Sequence, residues 1–390
     1  MISLKIIFWI LLFIVFYTYL GYGLLLIILI AFKRIFSREK STENTEYEPD
    51  VTLFIPAYNE VDYVDEKIRN SLSLNYPKEK LYIIFVADGS DDGTYEKLLS
   101  YPEIQVLYEP ERKGKIEAMN RGMKHVKTPI VIFSDANTQL SENAIREIVL
   151  RFRDEKTGCV AGEKRIANKT GAAGSGEGLY WKYESFLKKM DDRLYSVVGA
   201  AGELFAIRTE LFEPVEKDCI LDDFMISLRL AQKGYKTAYC PQAYAMETSS
   251  ASVGEELKRK IRIAAGGIQS ILRLLPLLNF FKYKTLSFQY ISHRVLRWTL
   301  TPFCLPFLLL INILLVSQNA GNIYALLLAG QVLFYLLAFT GWLFRNKNVS
   351  IPGFFVPFYF FIMNYAVYLG FLRFILKKQS VRWERAKRAS

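Results

Sequence analysis

Val51-Thr52-Leu53-Phe54-Ile55-Pro56-Ala57-Tyr58-Asn59-Glu60 begins as a short apolar, β-prone run that Pro56 closes, and a charged stretch with helical spacing follows from about Asp62 to Leu74. This reads as a strand, a turn and a helix. The alternation recurs with strand Tyr82 to Val86, helix Asp92 to Leu99, strand Ile104 to Leu107, helix Lys115 to Val126 and strand Ile130 to Phe133. Repeated βα units predict an α/β fold with a mainly parallel sheet. Open sheets of that kind bind ligands beyond the carboxyl ends of their strands. The polar clusters fall at those ends: Pro56 to Glu60, Asp88 to Thr94, and Asp135 to Thr138.

Outward from this domain the chain becomes apolar on both sides. Of its 390 residues 51% are hydrophobic, and the excess sits at the two ends. Ile6 to Phe32 carries no charge. At about 1.5 Å rise per residue it exceeds a hydrocarbon core of roughly 30 Å, and is read as a tilted membrane span. Lys33 and Arg34 follow directly and no small-residue cleavage site intervenes, which favours a retained anchor over a secretory signal. Trp298 to Phe344 is uncharged and is split by Gln318-Asn319-Ala320-Gly321-Asn322 into two lengths each able to cross; Asn348 to Leu372 is a further uncharged stretch. The expected organisation is a membrane helix over residues 1–34, a polar linker over 35–50, a cytoplasmic domain over 51–254, amphipathic interfacial helices over 255–290, membrane segments over 291–376 and a basic tail over 377–390.

The net charge of +11 could suggest nucleic acid, but many cations flank the spans, at Lys33, Arg34, Arg294, Arg297, Arg345 and Lys347. Cytoplasmic loops beside anionic lipid account for them, and no nucleic-acid partner is expected. Cys159, Cys219, Cys240 and Cys304 stand singly, without metal-type spacing or a disulfide framework. The positive-inside tendency places Lys33, Arg34 and the insert in the cytoplasm of a multi-pass protein of the cell membrane. If all three later stretches cross, however, the tail lies outside, although residues 373–390 carry seven Lys or Arg against the single acid Glu384. Either a Pro-interrupted segment stops short (Pro302, Pro306, Pro352, Pro357) or another crossing occurs near 268–290. That last region is amphipathic, with Ile261, Ala265, Ile268, Ile271, Leu272 and Leu275 opposite Lys258, Arg259, Arg262 and Arg273, and is read as a helix lying on the membrane.

Four clusters have the composition of a chemical site. Ala87-Asp88-Gly89-Ser90-Asp91-Asp92-Gly93-Thr94 combines tight-turn glycines with carboxylates that accept hydrogen bonds from a base or ribose; alone it is as readily a solvated turn. Arg112-Lys113-Gly114-Lys115 places cations at a helix start, suited to a diphosphate or simply a basic loop. Ser134-Asp135-Ala136-Asn137 offers two oxygen-bearing side chains at a strand end, a possible seat for a hard divalent cation. Leu221-Asp222-Asp223-Phe224 opens a helix, where paired acids either cap it or raise one another's pKa into the range of a general base.

In order and spacing from about residue 50 to 265, these clusters resemble glycosyltransferase family 2, and most strongly its membrane-bound branch of poly-N-acetylglucosamine, hyaluronan, chitin and cellulose synthases. The resemblance implies a GT-A-type α/β domain inserted between transmembrane helices, with a nucleotide-sugar, expected to be a UDP-sugar, as donor. It implies that Pro56, Tyr58, Glu60 and Asp88 line the nucleotide site, that Arg112 and Lys115 approach it, and that Asp135, with Asn137 in a place often held by aspartate, ligands Mg2+ or Mn2+. Asp223 matches the base, with Asp222 where many relatives have glutamate. Polymerising members often carry Gln-x-x-Arg-Trp; here Arg259-Lys260-Ile261-Arg262-Ile263 keeps the arginine and lacks the glutamine and tryptophan, so Arg262 would serve the leaving diphosphate without an adjoining aromatic platform.

The expected reaction is a single inverting displacement that extends a polysaccharide at the membrane, the alternative being transfer of one sugar to a lipid such as a polyprenyl phosphate or diacylglycerol. Partners would be the donor, a glycan or lipid acceptor, membrane lipids and an undefined export partner. Pure transport is disfavoured because the apolar stretches hold hardly any ionisable residues. His125 and His293 are assigned ordinary surface or interface positions.

Overall fold

Strand β1 (Val51–Ala57) is buried along almost its whole length, because Leu53 and Ile55 enter the core on one side of the sheet while Phe54 enters the core on the other. It is the centre of the parallel half of an eight-stranded sheet, paired with β2 (Leu81–Asp88) on one side and β4 (Ile130–Ser134) on the other. β3 (Gln105–Glu109) extends β2 in parallel. The strand continues through Pro56, which the sequence suggested would end it. β4 pairs only with Val51–Phe54, so at Pro56 no bond to that neighbour is lost.

The chain is seen here in a computed structural model, which describes residues 1–36, 47–167, 171–344 and 352–379. Most of the expected linker, the loop with Arg345 and Lys347, and the tail beyond Gln379 lie outside the described residues. Helix α1 (Ile2–Phe36) is followed by the domain helices α2 (Val64–Leu72), α3 (Thr94–Leu99), α4 (Lys115–Gly122), α5 (Ala144–Arg151), α6 (Gly171–Leu194) and α7 (Asp222–Gln232). Next come α8 (Val253–Arg273), α9 (Leu300–Ser317), α10 (Asn322–Leu343) and α11 (Pro352–Ile375).

The second half of the sheet was not foreseen. β5 (Gln139–Leu140), β6 (Thr157–Ile166), β7 (Leu204–Arg208) and β8 (Lys236–Glu247) complete the order β3-β2-β1-β4-β7-β6-β8-β5. β7 is antiparallel to β4 and to β6, β5 is antiparallel to β8, and β6 and β8 are parallel. The reversal at β7 positions the site: with Ser134 opposite Leu204, the turn just before β7 arrives at the carboxyl end of β4.

Among the described residues four helices, Ile2–Phe36, Leu300–Ser317, Asn322–Leu343 and Gly353–Ile375, are long and apolar enough to cross a membrane. The first of them bonds to Thr301 through Thr18 (2.8 Å between hydroxyls), to Asn364 through the Tyr19 hydroxyl, which donates (2.6 Å), and to the turn before Asn322 through Lys5 Nζ donating to the Ala320 carbonyl (2.9 Å). Pro306 and Pro357 lie inside helices and do not truncate them, and residues 285–298 run as one helical segment through a π turn at Ile291–Val295. If all four helices cross, both ends lie on one side.

The amphipathic segment is one helix, α8, capped by Ser252 accepting from the Glu255 amide. Its apolar stripe, Ile261, Ala265, Ile268 and Ile271, is buried against protein. A Cβ on Gly266 would meet Ile220 at 2.7 Å, one on Gly267 would meet the Trp298 ring at 2.4 Å, and one on Gly370 of α11 would meet Ala264 at 2.6 Å. Helix α11 thus lies directly against α8, and only the far end of the predicted stripe, Leu272 and Leu275, is exposed.

Candidate active site

The β1, β2 and α4 loops interlock through backbone groups. Asp88 is buried and accepts from the backbone amides of Lys113 (3.2 Å) and Gly114 (2.6 Å), clamping the basic loop onto the end of β2. Gly89, at φ +64°, is required here: a Cβ would sit 2.4 Å from the Arg112 nitrogen. The Arg112 guanidinium stacks 3.7 Å from the centre of the Tyr58 ring. The Asn59 amide donates to Ser90 (3.1 Å) and the Glu60 amide to Thr94 (2.9 Å), tying the two loops together. Pro56, Tyr58, Glu60, Asp88 and Arg112 therefore form one group of loops at the ends of β1 and β2.

The remaining predicted residues converge on an adjoining cavity. Lys115, Asp135, Asp222, Asp223 and Arg262 all line it, brought there by α4, the end of β4, the start of α7 and α8. Lys115 Nζ lies 2.8 Å from Asp135 and 3.7 Å from Asp222. Burial would lower the Lys115 pKa, but Asp135 and Asp222 outweigh it and hold the ammonium charged. Asp223 is pushed up to about 7, first by burial and then by Asp222, with Lys115 opposing. Its Oδ1 accepts from the Phe224 amide at 2.8 Å. Arg262 is lowered to about 10, chiefly by burial, with Asp222 pulling the other way.

Asn137 is half-buried but does not line this cavity, so the structure does not bring it together with Asp135 there. Among the described residues no three acidic, His or Cys side chains are grouped as a metal cage. Asp135 nonetheless suits a hard cation in the mode where one carboxylate shares the ion with substrate phosphates. Lys67, which the sequence did not single out, lies fully buried beneath this loop, donating to Ser134 (2.7 Å) and the Thr138 carbonyl (2.9 Å). Burial lowers its pKa to about 7, against the pull of Asp135.

The cavity continues to a wall that no motif announced. Trp181, Glu184 and Lys188 come from α6, Arg294 and Trp298 from the segment before α9, and Met363 and Val367 from α11. Two tryptophans thus line the cavity although Ile263 stands where the signature tryptophan is absent. His293, expected at a surface or interface, is fully buried, with Nδ1 2.6 Å from Asp191 and Nε2 3.2 Å from Glu184. An isolated buried polar ring needs such partners, and two carboxylates on one helix supply them.

Residues 49–266 match the family model described as "Glycosyltransferase like family 2". The poly-beta-1,6-N-acetyl-D-glucosamine synthase of Staphylococcus aureus strain MSSA476 is 28% identical over 247 residues, covering 60% of this chain and 58% of that protein. The synthase of the same description from Staphylococcus epidermidis is 27% identical over 234 residues, covering 57% and 56%. The chain thus matches somewhat over half the length of these curated relatives. A mannosyltransferase of Pyrobaculum calidifontis, solved with GDP-Man and Mn2+, superposes with a TM-score of 0.74 at 20% identity, covering 96% of this chain and all of that one. The fold is thus the expected one, a GT-A-like α/β sheet domain with membrane-length helices at both ends. With the family model spanning more than half its length and the polar loops gathered at the strand ends, the chain belongs to the glycosyltransferase-like family 2.

Proposed function

We propose that this chain is an inverting glycosyltransferase that moves a sugar from a UDP-sugar to a growing polysaccharide at the membrane, with its sheet domain in the cytoplasm. The observation that carries the reading is the pair of buried Asp222 and half-buried Asp223, which share one cavity with Lys115 and Asp135. Similarity to the poly-N-acetylglucosamine synthases supports a polymer product.

In this reading Asp223 takes the proton of an acceptor hydroxyl as its oxygen bonds to the anomeric carbon, and the bond from that carbon to the diphosphate breaks on the opposite face. Asp222 keeps the Asp223 carboxyl basic enough to accept that proton near neutral pH. Lys115 and Arg262 offset charge on the departing diphosphate. Tyr58, Glu60, Asp88 and Arg112, with Pro56, form the nucleotide side. Asp135 would hold Mg2+ or Mn2+, which supplies positive charge beside the diphosphate. Asn137 follows Asp135 in the same loop without lining the cavity, and its amide adds no charge beside that carboxylate. Asn137→Asp is expected to tighten Mn2+ binding in the absence of nucleotide, read by metal titration of the purified protein; identical curves for the two proteins would remove Asn137 from the metal's surroundings.

A second reading, transfer of one sugar to a membrane lipid, is favoured by one specific feature: Met363 and Val367 of a membrane-length helix wall the same cavity as Asp223. Incubating the full chain in nanodiscs with Mn2+ and a panel of UDP-sugars, and following UDP release and product size, tests both. Release from one donor with a ladder of products supports the polymerase, and a single addition to lipid supports the second reading. No release with any UDP-sugar, with lipid and glycan acceptors supplied, overturns the UDP-sugar assignment.

A further inference from the structure

Lys188 is 4% exposed and lines the cavity shared by Asp223 and α11. The other cavity-lining cations with described ion pairs have carboxylates at hand: Lys115 has Asp135, Arg259 has Glu203 and Glu256, Lys260 has Glu256, and Arg294 has Glu184. Lys188 has none within ion-pair distance among the described residues, and its ammonium lies 5.9 Å from the centre of the Trp181 ring. Its closest acid by charge influence, Glu184, is already engaged by Arg294 at 2.5 Å and by Arg297 at 3.2 Å. Three cations therefore surround one carboxylate in a buried corner. A buried charge without a partner is costly, and the arrangement is satisfied by an incoming anion.

We propose that Lys188, with Arg294, forms an anion site for the phosphate of a lipid monophosphate that enters the cavity along α11. This rests on the transferase reading and specifies the chemistry of a membrane ligand at that site. The lipid source follows from the walls: Met363 and Val367 belong to a helix of membrane length, and Trp298 closes the same side against Gly267. Apolar tail and anionic head would each meet matching surface. Tyr58, Glu60, Asp88 and Arg112 do not line this cavity, whereas Lys188 and Arg294 do.

The test uses the full chain in detergent micelles, with binding followed by tryptophan fluorescence for farnesyl monophosphate, farnesol and inorganic phosphate, and UDP binding with Mn2+ measured in the same samples. Farnesyl monophosphate is expected to bind at least about tenfold more tightly than farnesol, a preference lost in Lys188→Gln and kept in Lys188→Arg. Unchanged UDP binding in Lys188→Gln shows that this variant is folded. Equal affinity for the phosphate and the alcohol, or an unaltered preference in Lys188→Gln, overturns the anion site. Inorganic phosphate binding as tightly as farnesyl monophosphate overturns the lipid as its source. Absence of UDP binding by the unsubstituted protein counts against the transferase reading itself, whereas UDP binding without lipid phosphate binding counts against this inference alone.

Discussion

Asp223→Asn is expected to lower the rate of sugar transfer by roughly two to four orders of magnitude, the range associated with removing a positioned general base, while UDP-sugar affinity changes little. The substitution keeps shape and one carbonyl oxygen but leaves nothing to take the proton. Because burial and Asp222 push the Asp223 carboxyl up to about 7, the group is protonated and unable to act below that pH and ionised above it. The transfer rate should therefore rise with pH and level off above about 7. Asp222→Asn removes the neighbouring negative charge, so the Asp223 carboxyl should ionise more readily and the rising limb should move to lower pH. Initial rates across a pH series for the three proteins, at saturating donor, give the answer. A pH profile that Asp222→Asn leaves in place would exclude Asp223 as the titrating base, as would an Asp223→Asn rate within a few-fold of the unsubstituted protein.

What could be read from the sequence depended on how local the signal was. β1, β2 and β4 announce themselves by short apolar runs, and their loops carry Tyr58, Asp88 and Asp135 at fixed distances from those runs, so both halves of the signal lie within a dozen or so residues. β6 and β8 pair across α6 and α7, and β7 reverses direction between β4 and β6; no local period encodes such partners. Lys67 looks like an ordinary helix lysine until Ser134 and Thr138 are folded over it. The stripe on α8 was visible, but what covers it was not, since lipid and a neighbouring helix select the same apolar residues. Only the close approach of Gly370 to Ala264 identifies the cover as α11. The missing signature tryptophan is a similar case: Trp181 and Trp298 reach the cavity from elements distant in sequence.

Glu184→Ala is expected to be strongly destabilising at the join between the domain and its membrane-length helices, costing about 3–5 kcal/mol, the range for removing one partner of a buried ion pair. Glu184 is 1% exposed and is the common acid for Arg294, Arg297 and His293. Its removal leaves two guanidinium groups buried beside Lys188, in a network that also joins α1 through Tyr22 and Asp191. Burial alone would raise the Glu184 pKa, but Arg294, His293 and Arg297 outweigh it and hold the carboxyl well below the usual range. A depressed carboxyl contributes stability above its unfolded value of about 4.3 that is lost only as pH falls through the folded value. The penalty in Glu184→Ala should accordingly be constant from neutral pH down to about 5 and shrink in more acidic solution, where the intact protein loses the same contribution. Glu255→Ala is the control. Its pair with Lys258, whose side chain is 68% exposed, is a surface contact worth at most about 1 kcal/mol. Thermal unfolding of the three proteins in one detergent, at neutral pH and near pH 4, separates the outcomes. If Glu184→Ala melts with Glu255→Ala at neutral pH, the α6 carboxylate is not what holds the domain to its membrane-length helices.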